Sequence, residues 1–154
     1  MELNKDNSLL SKLSRPLDEI IYTIAVLKKL DCCNIATLSN RIVCQKMVYF
    51  ANRLGITPDY SYSLYLKGPY SPELANDLYL LSNKFDKIKE ADFLSDETNK
   101  AFSKLVKISD STGKNDRKLE IAATLDFFKI ITKDSEKAKI ETIREKKASD
   151  EEIK

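Results

Sequence analysis

The side chains able to do chemistry are few in this sequence, and the most telling fact is that none of the 154 residues is histidine. That removes the commonest general base and the commonest zinc ligand together, and excludes Ser-His and Cys-His nucleophile pairs. The three cysteines cannot all pair, and the adjacent Cys32 and Cys33 lack the CxxC separation of a structural zinc site. They read as small, buried or half-buried hydrophobes. Gly113-Lys114 does not end a Walker A loop, because the position five residues before Gly113 is Ile108 rather than glycine. Asp92, Asp96 and Glu97 are candidate Mg²⁺ ligands, but acids at a helix start are more often partners of its dipole. The sequence therefore calls for no catalytic residue, no metal site and no cofactor.

One set of side chains has a binding chemistry. Tyr49, Tyr60, Tyr62, Tyr65, Tyr70 and Tyr79 interleave with Arg41, Lys46, Arg53 and Lys67. Such a composition stacks bases and neutralises phosphates. It is equally the composition of a protein interface, where tyrosine and arginine make hot spots. A third reading makes most of the tyrosines core and rim of one hairpin, with hydroxyls satisfied at its edge. A nucleic-acid surface predicts affinity that falls steeply with salt; a protein surface does not.

The elements that must position this set lie between Ser39 and Leu81, which hold two of the three glycines, three of the four prolines and six of the seven tyrosines. Ser39 or Asn40 is expected to cap a helix running to Leu54 and stopping at Gly55. Its wheel puts Val43, Met47, Phe50, Ala51 and Leu54 on one side and Arg41, Gln45, Tyr49 and Asn52 on the other, with Lys46 at the border and its ammonium in water. Ser61 to Leu66 alternates as a half-buried strand does, with Tyr62, Leu64 and Leu66 on one face. Gly68 and Pro69 are expected to end the pairing. Ser71 then reads as an N-cap, Pro72 as the first helical residue and Glu73 as a partner of the positive helix end.

The rest of the chain reads as helices. Residues 1–15 have no strong periodicity. Pro16 opens a core helix carrying Leu17, Ile20, Ile21, Ile24, Leu27 and Leu30 at helical spacing. Ser95 caps a helix with Phe102, Leu105 and Val106. Ser109 to Lys118 reads as a polar loop, and Leu119 to Ile131 as another helix. Ser135 onward is a sparse amphipathic helix with Ile140 and Ile143 three apart. Ser149 to Glu152 forms a capping box with only Ile153 and Lys154 after it, too few for a stable helix. The expected fold is a mostly α (α+β) single domain over residues 1–154, with a short antiparallel β-hairpin ending in a Gly-Pro turn. Its core spans about 16–132, and 133–154 form a charged, incomplete C-terminal helical segment.

With 42% hydrophobic residues and a net charge of +2, the composition suits a packed core and gives no global attraction to nucleic acid or membrane. The longest apolar run, Ile20 to Leu27, is too short for a membrane span, and 1–13 does not read as a signal peptide, so a cytoplasmic location is expected.

Val43-Cys44-Gln45-Lys46-Met47-Val48-Tyr49-Phe50-Ala51, followed by Leu64-Tyr65-Leu66-Lys67-Gly68-Pro69-Tyr70-Ser71-Pro72-Glu73-Leu74, resembles the Panacea domain superfamily, which includes the SocA-like antitoxins. Gln45, Lys46, Tyr49, Phe50, Gly68, Pro69 and Pro72 match that family's pattern, while Cys44 stands where the family usually has leucine. The Tyr70 to Leu74 version is similar to the YwgA-like proteins. The resemblance implies a helical domain with a small hairpin, and a non-enzymatic, antitoxin-like role in binding a protein partner such as a toxin. The expected contact residues are Arg41, Gln45, Lys46, Tyr49, Lys67, Gly68, Pro69 and Tyr70, with Ser71, Pro72 and Glu73 as structural turn and cap. A nucleic-acid-binding regulator using the same surface is the alternative, and Gln45 and Lys46 tying the helix to the turn by hydrogen bonds is the rival account of those two residues.

Overall fold

The computed structural model describes residues 7–146. Helices α1 (Asn7–Lys12), α2 (Leu17–Lys29) and α3 (Leu38–Arg53) precede strands β1 (Ser63–Tyr65) and β2 (Gly68–Tyr70). Helix α4 (Pro72–Leu80), a 3-10 helix (Ser82–Lys87), α5 (Asp96–Thr112), α6 (Asp116–Thr132) and α7 (Ser135–Lys146) follow. The fold is the mostly helical domain with one two-stranded antiparallel hairpin that the sequence calls for. The expected capping box at 149–152 lies outside the described residues, and no described helix is long and apolar enough to cross a membrane.

Helix α3 is the axis of the core. It packs against α2, α4, α5, α6 and β2, and every residue from Ile42 to Ala51 is buried. Over those ten residues the helix has no wet face, although its ends, with Leu38, Arg41 and Arg53, are exposed. Gln45 and Tyr49, which the wheel places outward, are therefore inside, and so is Lys46. Around α3, the core takes Ile20, Ile24 and Leu27 from α2, Leu74 and Leu78 from α4, Leu105 from α5 and Leu119 from α6.

Caps follow local chemistry closely. Pro16 precedes α2, and Ser71 caps α4 by accepting from the Leu74 amide at 3.2 Å, with Pro72 at the start of the helix. Ser95 caps α5 through the Thr98 amide at 3.0 Å. At α3 the cap is Thr37 rather than Ser39 or Asn40; its hydroxyl accepts from the Asn40 amide at 3.1 Å. The polar stretch 109–118 is mostly helix. Helix α5 runs to Thr112, Gly113 takes the left-handed C-cap conformation at φ 60°, and Asn115 already caps α6. Within 1–15, residues 7–12 form α1, and the Ser14 amide reaches the buried Asp77 carboxylate at 2.8 Å.

The hairpin differs from expectation in two respects: β1 covers only Ser63–Tyr65 of the expected Ser61 to Leu66, leaving Leu66 exposed in the turn rather than on a face with Tyr62 and Leu64, and the Gly-Pro lies inside the ladder. Pairing does not stop at the Gly-Pro, because Ser63, Leu64 and Tyr65 face Tyr70, Pro69 and Gly68 in register, and the reversal is at Leu66-Lys67. In an antiparallel ladder alternate pairs exchange no hydrogen bonds, and Leu64 and Pro69 form the middle pair, so the amide hydrogen that proline lacks is not needed there. The same geometry turns the Pro69 carbonyl outward, toward α3.

Candidate functional site

Two arrangements meet at the hairpin, one buried and one open. In the buried one, the Gln45 side-chain amide grips Ser71 from both sides: Nε2 donates to the Ser71 carbonyl at 2.9 Å and Oε1 accepts from the Ser71 amide at 3.0 Å. Next to it, Lys46 Nζ donates to the Pro69 carbonyl at 2.9 Å. Gln45 and Lys46 are only 4% and 1% exposed, which corrects their assignment to a free contact surface and favours the rival account, a tie between helix and turn. Tyr49 is likewise corrected. At 3% exposure it stands edge-on to Tyr62 and its hydroxyl donates to Asp126 on α6 at 2.7 Å, a carboxylate that also accepts from Arg53 Nε at 2.8 Å. Burial and that carboxylate push the Tyr49 phenol well above its ordinary value.

Gly68 and Pro69 are likewise buried, packed against α3 and α6, and so are not part of an exposed surface. Around them sits a charge cluster that local pattern does not reveal. Lys146 of α7 donates to the Leu66 carbonyl at 2.7 Å and pairs with Glu120 of α6 at 3.2 Å, both side chains being almost fully buried. Arg117 reaches the same carboxylate at 3.3 Å and the Lys146 carbonyl at 2.7 Å. One carboxylate thus pairs with a buried ammonium and a half-exposed guanidinium, and its charge also acts on the Lys46 ammonium nearby.

Burial lowers the Lys46 ammonium to about 8, with Lys146 adding to the effect and Glu120 opposing it. Between about pH 8 and the unfolded value of 10.5 the unfolded chain binds the extra proton, so this group's contribution to stability rises with pH. Burial holds the Cys33 and Cys44 thiols up to about 11 and about 12, and they act in the opposite sense above pH 9. The difference between the protein and Lys46→Met cancels the cysteines. Urea unfolding at pH 7.5 and 9.5 is therefore expected to show the protein gaining stability relative to the variant, and an unchanged difference would disprove the buried, shifted ammonium.

The open arrangement is a groove of about 720 Å³ between the N-terminal half of α3, the hairpin and α4. Ile42, Ala75 and Leu78 line it at depth, and Leu38, Tyr65, Leu66 and Tyr79 stand exposed around it. Leu66 and Tyr79 are 92% and 72% exposed. Arg41, Lys67 and Tyr70 of the expected contact set belong to this groove and are accessible, whereas Gln45 and Lys46 only contribute to its floor. Ser71 is buried as a cap, while Pro72 and Glu73 lie exposed in the first turn of α4.

Sequence reasoning missed Leu38 and Leu66 as groove residues, and Glu120 and Lys146 as buried charges; Tyr65 and Tyr79 entered it only as members of the interleaved tyrosine set. Leu66 carries a readable signal: a large apolar side chain at a hairpin turn, where Gly, Asn and Asp dominate, has no local reason to be there. Tyr79 likewise sits beside, not within, the Leu74, Leu78 and Leu81 stripe. Comparison with protein-family models, curated proteins and solved structures finds no match for this chain.

Proposed function

We propose that this chain is a non-enzymatic, antitoxin-like protein-binding module of the Panacea type, and that its contact surface is the groove edged by Leu38, Leu66 and Tyr79 with Arg41 and Lys67. The observation that supports this reading is the concentration of exposed large apolar side chains in that one concavity. Clustered exposed apolar residues with a polar rim are the mark of an interaction site, whereas scattered ones are ordinary. Burial of Tyr49 and Tyr60 weakens the alternative of a nucleic-acid-binding regulator, because neither ring is available to stack on a base. The free thiols Cys32, Cys33 and Cys44 fit a reducing, cytoplasmic setting.

The test is retention of a partner by the tagged full chain from a lysate of its own source, after nuclease treatment. A protein held at stoichiometric level by the chain, and held at least about tenfold less by Leu66→Glu, is the expected result. Leu66 is almost wholly exposed, so its substitution spares the core. Retained nucleic acid without protein would replace this reading with the regulator, and equal retention by Leu66→Glu would remove the groove from it.

A further inference from the structure

We infer that the groove takes an amphipathic α-helix from a protein partner, one whose apolar stripe is flanked by acidic side chains. This rests on the protein-binding reading above and specifies the chemistry of the partner.

The helical form follows from the walls. On one side α3 offers Leu38, Arg41, Ile42 and Gln45; on the other α4 and the residue two beyond its end offer Ala75, Leu78, Tyr79 and Ser82. Each set has the spacing i, i+3, i+4, i+7, the face with which one helix packs on another. Two such faces side by side, closed at one end by the hairpin, form the seat of a third helix, which would present its own i, i+3, i+4 and i+7 anchors. A small apolar ligand fits less well. Small-molecule sites bury most of the ligand surface, whereas Leu66 and Tyr79 here stand out into solvent and offer area to something larger than the cavity itself.

The acidic character follows from the charge. Among the residues lining the groove there is no aspartate or glutamate, while Arg41 and Lys67 both lie at its accessible edge. The Arg41 guanidinium donates to the Ile35 carbonyl at 3.1 Å, and among the described residues neither cation has a carboxylate partner. The ammonium of Lys46 below adds positive potential without reaching the opening. Uncompensated cations of one sign around an apolar seat select acidic partners and reject basic ones.

The experiment selects displayed single helices, randomised on one face, for binding to the full chain. Recovered sequences are expected to carry apolar residues at i, i+3 or i+4, and i+7 with Asp or Glu beside them. A synthetic peptide of that sequence should bind at least about tenfold more weakly to Leu66→Glu and to Tyr79→Glu. The Arg41→Glu/Lys67→Glu protein should reverse the preference, favouring a peptide whose acids are changed to lysine; mere damage to the fold could not do this, and far-UV circular dichroism of each variant checks it. Basic or extended winners, binding indifferent to Leu66→Glu, or an empty selection would overturn the inference. So would a dimer in sedimentation equilibrium that Leu66→Glu dissociates, since a second copy would then be the occupant. If a co-purifying protein is lost with Leu66→Glu while no helix is selected, the helix is wrong and the binding module stands. If neither is found, both fall.

Discussion

Glu120→Gln is expected to destabilise the protein by about 3–5 kcal/mol, more than any change at the surface of the groove. The carboxylate lies between α6, α7 and the hairpin, nearly excluded from water, and pairs with Lys146 at 3.2 Å while Arg117 reaches it at 3.3 Å. Glutamine keeps its shape and removes its charge. Lys146, whose side chain is 4% exposed, would then be a buried cation with no carboxylate partner among the described residues, held by the Leu66 carbonyl and at best a neutral amide oxygen. Lys46 would lose the one neighbouring charge that favours its protonated form.

The reverse deletion is milder. In Lys146→Met the Glu120 carboxylate keeps Arg117, and the chief loss is the donor to the Leu66 carbonyl. Adding Lys146→Met to Glu120→Gln should therefore recover part of the loss, giving a favourable coupling rather than a sum. The Lys46 share of the cost also has a pH signature. It is present while Lys46 is protonated in the folded state and fades as pH rises through about 8, where that ammonium loses its proton. Urea unfolding of the two single variants and the double, at pH 7 and pH 9, measures all of this. A loss below about 1 kcal/mol for Glu120→Gln would mean that the carboxylate does not hold the buried cations.

What was legible in the sequence was whatever the chain decides within a few residues. Ser71-Pro72-Glu73 specifies a helix start from its own cap, ring and charge, and α4 begins there. The spacing of Ile20, Ile24 and Leu27 similarly produces the buried face of α2. At Thr37, Ser39 and Asn40 several polar side chains compete for one cap; periodicity does not choose among them, and geometry selects Thr37. Helix α7 shows how volume can override hydropathy. Its buried seam is Ala138, Thr142 and Lys146, while Ile140 is exposed, because small side chains let α7 approach α6 and the long lysine reaches the hairpin.

The candidate site was hardest to read because its polar residues are satisfied over long distances in sequence. Gln45, Lys46 and Tyr49 find partners 26, 23 and 77 residues away. A helical wheel counts such residues as wet, since it assumes that one face of every helix meets water. The same error hid the groove. With Gln45 and Tyr49 placed outside, Arg41 seemed to head a polar face, whereas it stands beside Leu38 and Ile42 in an apolar concavity.

Gly68→Ala should cost about 3 kcal/mol, from two separate causes. Gly68 sits at φ +91°, a conformation that side chains with a Cβ rarely adopt. A Cβ there would also stand 2.8 Å from Thr124 Oγ1 and 3.4 Å from both the Glu120 carbonyl and Lys46 Cε. Thr124 cannot simply swing aside, since its hydroxyl donates to the Glu120 carbonyl at 2.7 Å and the residue is wholly buried. Removing the obstacle separates the causes. Gly68→Ala in a Thr124→Ala background should cost mainly the backbone share, about 1–2 kcal/mol, because φ is still wrong but the closest contact is gone and those at 3.4 Å are near ordinary packing distance. Equal costs in both backgrounds would assign the whole effect to φ, and no cost in either would refute the close approach of β2 to α6. The groove depends on the same contact, because Leu66 and Lys67 project from the turn that Gly68 closes. Peptide or partner binding should therefore weaken in Gly68→Ala even where the remaining protein is folded, and recover in part with Thr124→Ala.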